Sequence, residues 1–229
     1  PSAYDDYETA RSNFGEALIG HKTLIVLDDI SDENKTHFRA LGIFASTGTV
    51  TLSAIATIWQ IDDEEDAEDA LDVLLGAGLI TDRDGRYDQH PLLQTYARAL
   101  ATQQAEIDTL EKRHFSHYHR LYSDYETNKD VTYYDAITAD CPNIQNALAY
   151  ARIHEQATFC DWVHALDYYL SMHSTYEIRH NLNAQALDMS KSLGDEHNQA
   201  HALRALGDVA FLRDDNDGAT AYYHHAVAL

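Results

Sequence analysis

Apolar residues recur at spacings of three and four along most of this 229-residue chain, the rhythm of helices that bury one face. Two places break it. Thr23-Leu24-Ile25-Val26-Leu27 is apolar on both faces and closes on Asp28-Asp29, which predicts a central strand of a parallel sheet. Leu79-Ile80-Thr81 and Arg86-Tyr87-Asp88 flank Asp82 to Gly85, and the Asp84-Gly85 pair predicts a hairpin turn. Helices fill the rest. Asp32 is placed to cap one running through Phe38 to Phe44. Thr51 or Ser53 starts another, with Ile55, Ile58 and Trp59 on one face. Asp66 to Ala77 gives a third, striped by Ala67, Ala70, Leu71, Leu74 and Leu75 and ended by Gly76-Ala77-Gly78. Pro91 suits the first turn of a fourth, lined by Leu92, Leu93, Tyr96, Ala97 and Leu100.

Three helices, a two-stranded wing and a further helix predict a winged-helix domain at residues 31–102. Residues 103–157 read as a helical linker, with one helix from Ala101 to Tyr125 and another that Pro142 starts and Ala151 ends. From 158 to 229 the pattern predicts helix pairs without strands. Leu203-x2-Leu206-Gly207-x2-Ala210 followed by Ala219-x3-Tyr223 matches tetratricopeptide spacing, with Leu for Trp and Ala for Tyr. An earlier copy lies about 40 residues upstream, where Leu166 aligns with Leu206 and Ala186 with Ala226. There Asp167 replaces the glycine. The fold class expected is mainly α, a winged helix followed by a linker and a tetratricopeptide-like α-solenoid. The first residue is not Met, and the repeat pattern's final proline would fall beyond Leu229, so the sequence reads as a piece of a longer protein.

Charge narrows the function classes. Acidic residues outnumber basic ones 38 to 16, a net charge of −22. Such a chain repels phosphate backbones and anionic lipid, which argues against direct nucleic-acid binding by this segment and against a membrane surface. No apolar run is long enough to span a bilayer. Two cysteines, Cys141 and Cys160, build no disulfide framework, and with the lack of a signal-peptide pattern they predict a cytoplasmic protein.

Three features now stand in order: Leu24-Ile25-Val26-Leu27-Asp28-Asp29, a wing ending in Gln89-His90-Pro91, and a helical repeat array. This order resembles the signal-transduction ATPases with numerous domains (the STAND class, with NB-ARC-type nucleotide domains) in their bacterial tetratricopeptide form. The resemblance implies that Leu24–Asp29 is the Walker B element and that residues 1–30 are a remnant of an α/β P-loop NTPase domain. It implies that Asp28 holds Mg²⁺, that Asp28 and Asp29 are catalytic, and that His90 touches bound ADP or ATP. Asp140-Cys141-Pro142-Asn143-Ile144 looks like the family's linker entering the repeats. Two departures stand out. Gln89-His90-Pro91 replaces the family's Met-His-Asp, keeping only the histidine. The dipeptide Gly-Lys occurs nowhere, so there is no P-loop, and the Walker B strand runs straight into the winged helix with an abrupt join near Asp29–Glu33.

The reading that follows is a fragment of an ADP/ATP-controlled signalling switch whose repeats sense a protein or small-molecule signal. Nucleotide-dependent homo-oligomerisation comes with it, and ATPase activity is expected only in the complete protein. The alternatives are a non-enzymatic tetratricopeptide scaffold and the regulatory part of a transcription factor. Without a phosphate cradle, the chain alone is expected to bind ADP or ATP weakly or not at all.

The same residues have simpler readings. Asp28 and Asp29 can be turn residues closing a strand. His90 can be packed between wing and helix. His114, His117 and His119 fit a solvated helix face better than a zinc site. The tyrosine pairs Tyr133-Tyr134 and Tyr168-Tyr169 fit repeat core; Tyr223 falls on the packing position, whereas Tyr222 and His224 face outward. Asp214-Asp215-Asn216-Asp217 lacks a calcium-loop pattern and reads as a solvated turn.

Overall fold

A computed structural model describes residues 30–122 and 131–229. The strand expected at Thr23–Leu27, the carboxylates Asp28 and Asp29 and the Asp29 side of the expected join lie outside these residues. The described residues are mainly helical: ten helices and a two-stranded sheet. No helix among them is long and apolar enough to cross a membrane. The described residues divide into two compact units, one of 30–117 with Ala139–Asn146, the other of 118–122 and 131–138 with Ala147–Leu229.

In the first unit, α1 (Asp32–Leu41) is capped one residue earlier than the pattern predicts. The Ser31 side chain accepts from the Asn34 amide at 3.1 Å, which places Asp32 and Glu33 in the first turn, where the helix dipole favours acids. Thr51 caps α2 (Leu52–Trp59), and Asp63 caps α3 (Glu64–Gly76). The hairpin β1 (Thr81–Arg83) and β2 (Arg86–Asp88) pairs Thr81 with Asp88 and Arg83 with Arg86. Its turn is the two-residue Asp84-Gly85, tighter than a turn over Asp82 to Gly85, and both residues have positive φ (56° and 80°) as such turns require. Val50, between α1 and α2, exchanges two backbone hydrogen bonds with Tyr87 at 2.7 and 2.8 Å. α4 (Pro91–Gln103) carries proline in its first turn.

The expected helix from Ala101 to Tyr125 is broken. Ala105 adopts φ 56°, and α5 (Ile107–Tyr122) begins after it. Pro142 does not start a helix; it lies inside α6 (Val131–His154). An interior proline costs one hydrogen bond and crowds the preceding turn. Contacts within the first unit hold the helix on both sides of it: Asp140 pairs with Arg86, and Asn143 accepts from the Ala45 amide at 2.7 Å. The core of this unit is Phe38, Leu41, Ile55, Ile58, Leu71, Leu74, Leu79 and Ala97, all buried. Gly42 fits because a side chain there would meet the backbone of Arg98, 2.3 Å from its nitrogen.

The second unit contains four consecutive helices, α7 (Gln156–His173), α8 (Tyr176–Leu193), α9 (Glu196–Leu212) and α10 (Asn216–Val227). Thr175, Asp195 and Asp215 cap the last three, and Gly194 ends α8 in the left-handed region. Each helix packs on the next, and α9 also packs on α7. Phe159, Trp162, Val163, Leu166, Ala205, Leu206 and Val209 form the core. Gly207 lies against the Tyr223 ring: a Cβ there would come within 2.6 Å of Cε1.

Candidate functional site

His90 is the N-cap of α4, directly after the hairpin. Its Nδ1 accepts from the Leu92 amide at 3.2 Å, and the ring is exposed. It is therefore not packed between wing and helix. Nδ1 serves the helix, so Nε2 is the nitrogen left to meet a ligand. The residues beside it are already engaged: Gln89 donates to the Leu79 carbonyl at 3.3 Å, and Asp88 pairs with Arg83 at 2.9 Å. Asp28 and Asp29 fall outside the described residues, so the expected carboxylate–histidine site cannot be assembled from them. His90 can supply one hydrogen bond to a phosphate, and the helix N-terminus behind it favours an anion. The phosphate cradle itself has no counterpart in a sequence without Gly-Lys.

A groove of about 470 Å³ lies between α1, α2 and α5, lined among others by Glu33, His37, Trp59, Glu106 and Arg113. Most of its polar groups are committed within the protein. Glu106 takes two hydrogen bonds from Arg39, at 2.8 and 3.0 Å, and Arg113 donates to the Ile58 carbonyl at 3.1 Å. His37 stacks on Trp59 with ring centroids 4.4 Å apart, and the Trp59 indole donates to the His37 carbonyl. Burial holds the His37 pKa below its ordinary value against the pull of Glu33.

The solvated face expected for His114, His117 and His119 is not what the structure shows. His114 and His117 are 3% and 2% exposed. His114 meets the Phe44 ring and approaches Asn143 at 3.3 Å; His117 meets the Thr57 hydroxyl at 3.0 Å. Burial drives the His114 pKa down to about 4. His119 belongs to the second unit and packs edge-on against Trp162. Cys160 is buried, and its thiol is pushed up to about 11 by burial and then by Asp195 and Asp161, which leaves it a poor nucleophile.

In the second unit a charge network joins the helices. Asp167 accepts two hydrogen bonds from Arg179, both 2.8 Å, and one from Asn183 at 3.2 Å. Arg179 reaches Asp208 at 3.0 Å, and the Tyr223 hydroxyl donates to Asp208 at 2.9 Å. Burial opposes the Arg179 charge, but Asp167 and Asp208 outweigh it and hold its pKa above the ordinary value. Beside this network, His197, His201, Arg204 and Tyr223 line an open groove of about 300 Å³ with Ala200, Ala226 and Val227. His224 is exposed and Tyr222 half-buried. Asp215 accepts from the Gly218 amide as a cap, and the acidic loop is exposed apart from that role.

Among the described residues, the one group of three metal-capable side chains is His164, His197 and His201. Burial first, and the neighbouring histidines next, keep His201 at about 4; burial also lowers His164. From the sequence, only His114, His117 and His119 are weighed as a zinc site, a solvated face is preferred for them, and His164, His197 and His201 are not reached. The signal available was His197-x3-His201 on one helix face; the third member comes from a different helix. No family model matches the chain, and no curated protein matches it.

Proposed function

We propose that the chain carries the winged-helix and tetratricopeptide-like parts of a nucleotide-controlled switch of the STAND class. The observation that carries the reading is the place of His90, exposed at the N-cap of the helix that follows the hairpin. Element order supports the winged helix: a first helix, a bridge at Val50, two more helices, a hairpin that the bridge joins, and a fourth helix. The contact of Gly207 with Tyr223 supports the tetratricopeptide reading, because that pattern needs a small residue where the paired helices meet.

ADP or ATP with Mg²⁺ supplies the anionic phosphates in such a switch. His90 donates from Nε2 to a phosphate oxygen while Nδ1 keeps α4 capped. That bond makes the orientation of the winged helix sensitive to the nucleotide, as a two-state element biased by a ligand. One charge-assisted hydrogen bond is worth about 1.5–3 kcal/mol, so His90 reports on a nucleotide held by other groups and does not hold it alone.

The test is the nucleotide content of the purified natural protein, read by chromatography after denaturation. Bound ADP whose affinity falls about 10- to 100-fold on His90→Ala supports the reading. No ADP in the natural protein, or ADP unaffected by His90→Ala, defeats it. Calorimetry with Mg²⁺-ADP on this chain alone should show no low-micromolar binding. A second reading, a scaffold without nucleotide, is favoured by the open groove at Tyr223, Ala226 and Val227, which suits an apolar side chain of a peptide.

A further inference from the structure

Three histidines converge in the second unit from two helices that are not consecutive. His164 lies in α7; His197 and His201 lie one turn apart on α9. Each offers a ring nitrogen, and these nitrogens all lie within 4.8 Å of one another. His201 stacks on His164 with centroids 3.4 Å apart. His197 meets both at steep angles, 4.6 Å from His201 and 5.7 Å from His164. Nδ1 of His201 is buried and has no hydrogen-bond partner. A buried ring nitrogen without a partner is costly, and stacking on another imidazole gives it none.

We propose that His164, His197 and His201 form a binding site for a divalent transition-metal ion of the zinc class, which ties α7 to α9. Tetrahedral zinc with bonds of about 2.0–2.1 Å sets its nitrogens about 3.4 Å apart. The imidazoles therefore close by roughly 1 Å or more, and because ring lone pairs lie in the ring plane, the stacked His164 and His201 rings must also rotate about their side-chain bonds, with exposed His197 turning to meet them. An all-nitrogen set selects Zn²⁺, Co²⁺, Ni²⁺ or Cu²⁺ over Mg²⁺ and Ca²⁺, which take oxygen. Three protein ligands leave a fourth position for water. The surroundings tolerate a cation. Asp161 and Asp167 flank His164 by one turn on either side, and Asp161 is fixed by Asn198 at 2.6 Å. Arg204 opposes the ion, but its guanidinium lies 3.5 Å from Asp167 and 3.6 Å from Asp208.

The position gives the ion a structural consequence. α7 precedes α8 in one helix pair and α9 precedes α10 in the next. An ion shared by α7 and α9 acts on the stacking of one pair on the other, and by mass action it stabilises whatever state holds the two helices together. This holds whether or not the chain serves a nucleotide switch.

The test uses the full chain stripped with a chelator and titrated with ZnCl₂, by calorimetry and by thermal melting. One equivalent should bind with a dissociation constant of about 10 µM or tighter and raise the Tm, while MgCl₂ does neither. His197→Ala removes an exposed ligand and should weaken binding about 100-fold; His225→Ala, an exposed histidine outside the cluster, should leave it unchanged. His164→Gln repeats the loss from the other helix, and its zinc-induced rise in Tm is measured against its own metal-free form, so that a less stable variant still reports. CoCl₂ gives an independent signature, a visible absorption change present in the unaltered chain and absent in His197→Ala. No saturable zinc site of about 10 µM or tighter, or a His197→Ala variant that binds like the unaltered chain, overturns the proposal.

Discussion

Two helix pairs in the second unit meet a similar packing task by different chemistry. In α7 and α8 the position is Asp167, and its carboxylate is held by Arg179 and Asn183 of the partner helix. About 40 residues on, in α9 and α10, the corresponding position is Gly207, and the ring of Tyr223 lies on the bare backbone. One pair is joined through buried charge, the other through contact. Charge exposes the first pair to large losses, because either partner alone is a buried ion. Contact makes the second pair sensitive chiefly to volume, with one added hydrogen bond from Tyr223. The two solutions also touch: Asp208, next to Gly207, accepts from both Arg179 and Tyr223.

The comparison breaks most severely at Asp167. Asp167→Ala leaves Arg179, itself buried, with Asp208 as its remaining acid, and should cost about 3–5 kcal/mol in chemical denaturation. Replacing both Asp167 and Arg179 by leucine should recover most of that loss. If Asp167→Ala costs less than about 1 kcal/mol, the ion pair is not what joins the helices.

Acid supplies a control in the first unit. Folded His114 has a pKa of about 4, below the ordinary 6.5, so between those values the unfolded chain binds a proton that the folded chain refuses. The His114 contribution is full above pH 6.5, declines as the pH falls through this window and levels off below about 4, a loss of roughly 3 kcal/mol. Trp59 lies in the first unit and Trp162 in the second, so urea midpoints read from their fluorotryptophan resonances at each pH separate the stabilities of the two. His114→Gln should flatten the Trp59 response in this range; an unchanged slope assigns the acid sensitivity to another group.

Gly207→Leu should cost about 1–3 kcal/mol by forcing the Tyr223 ring away, with Gly207→Ala smaller because the ring can shift. Melting equal to that of the unaltered chain would mean the ring contact carries no packing role. The smallest effect is Tyr223→Phe, which keeps the ring and removes only the bond to Asp208; about 1 kcal/mol is expected from urea midpoints. A loss as large as that of Gly207→Leu would place the second pair's stability in charge after all.

What could be read in the sequence was what short range decides. The Asp84-Gly85 turn and the Thr51 cap depend on a few neighbouring residues, and both are present. Pro142 was misplaced because local preference puts proline at a helix start, whereas contacts of Asp140 and Asn143 with residues far away in the chain carry the helix through it. The break at Ala105 has no glycine or proline to announce it. His114 and His117 look polar in sequence, and only the folded chain supplies Asn143 and Thr57 beside them. The cluster of His164 with His197 and His201 depends on the register of α7 against α9, which no periodicity along one helix encodes. For Asp28 and Asp29 the sequence remains the whole account, since they lie outside the described residues.

Gly42 has a mechanical consequence. At the end of α1 it brings the chain against the backbone of Arg98 in α4, with no side chain between to act as a bearing. Main chain against main chain gives little room to slide, so α1 and α4 behave as one stiff lever. His90 sits at the end of that lever. A displacement of α4 at its His90 end is therefore shared by α1, which is held against it at Gly42.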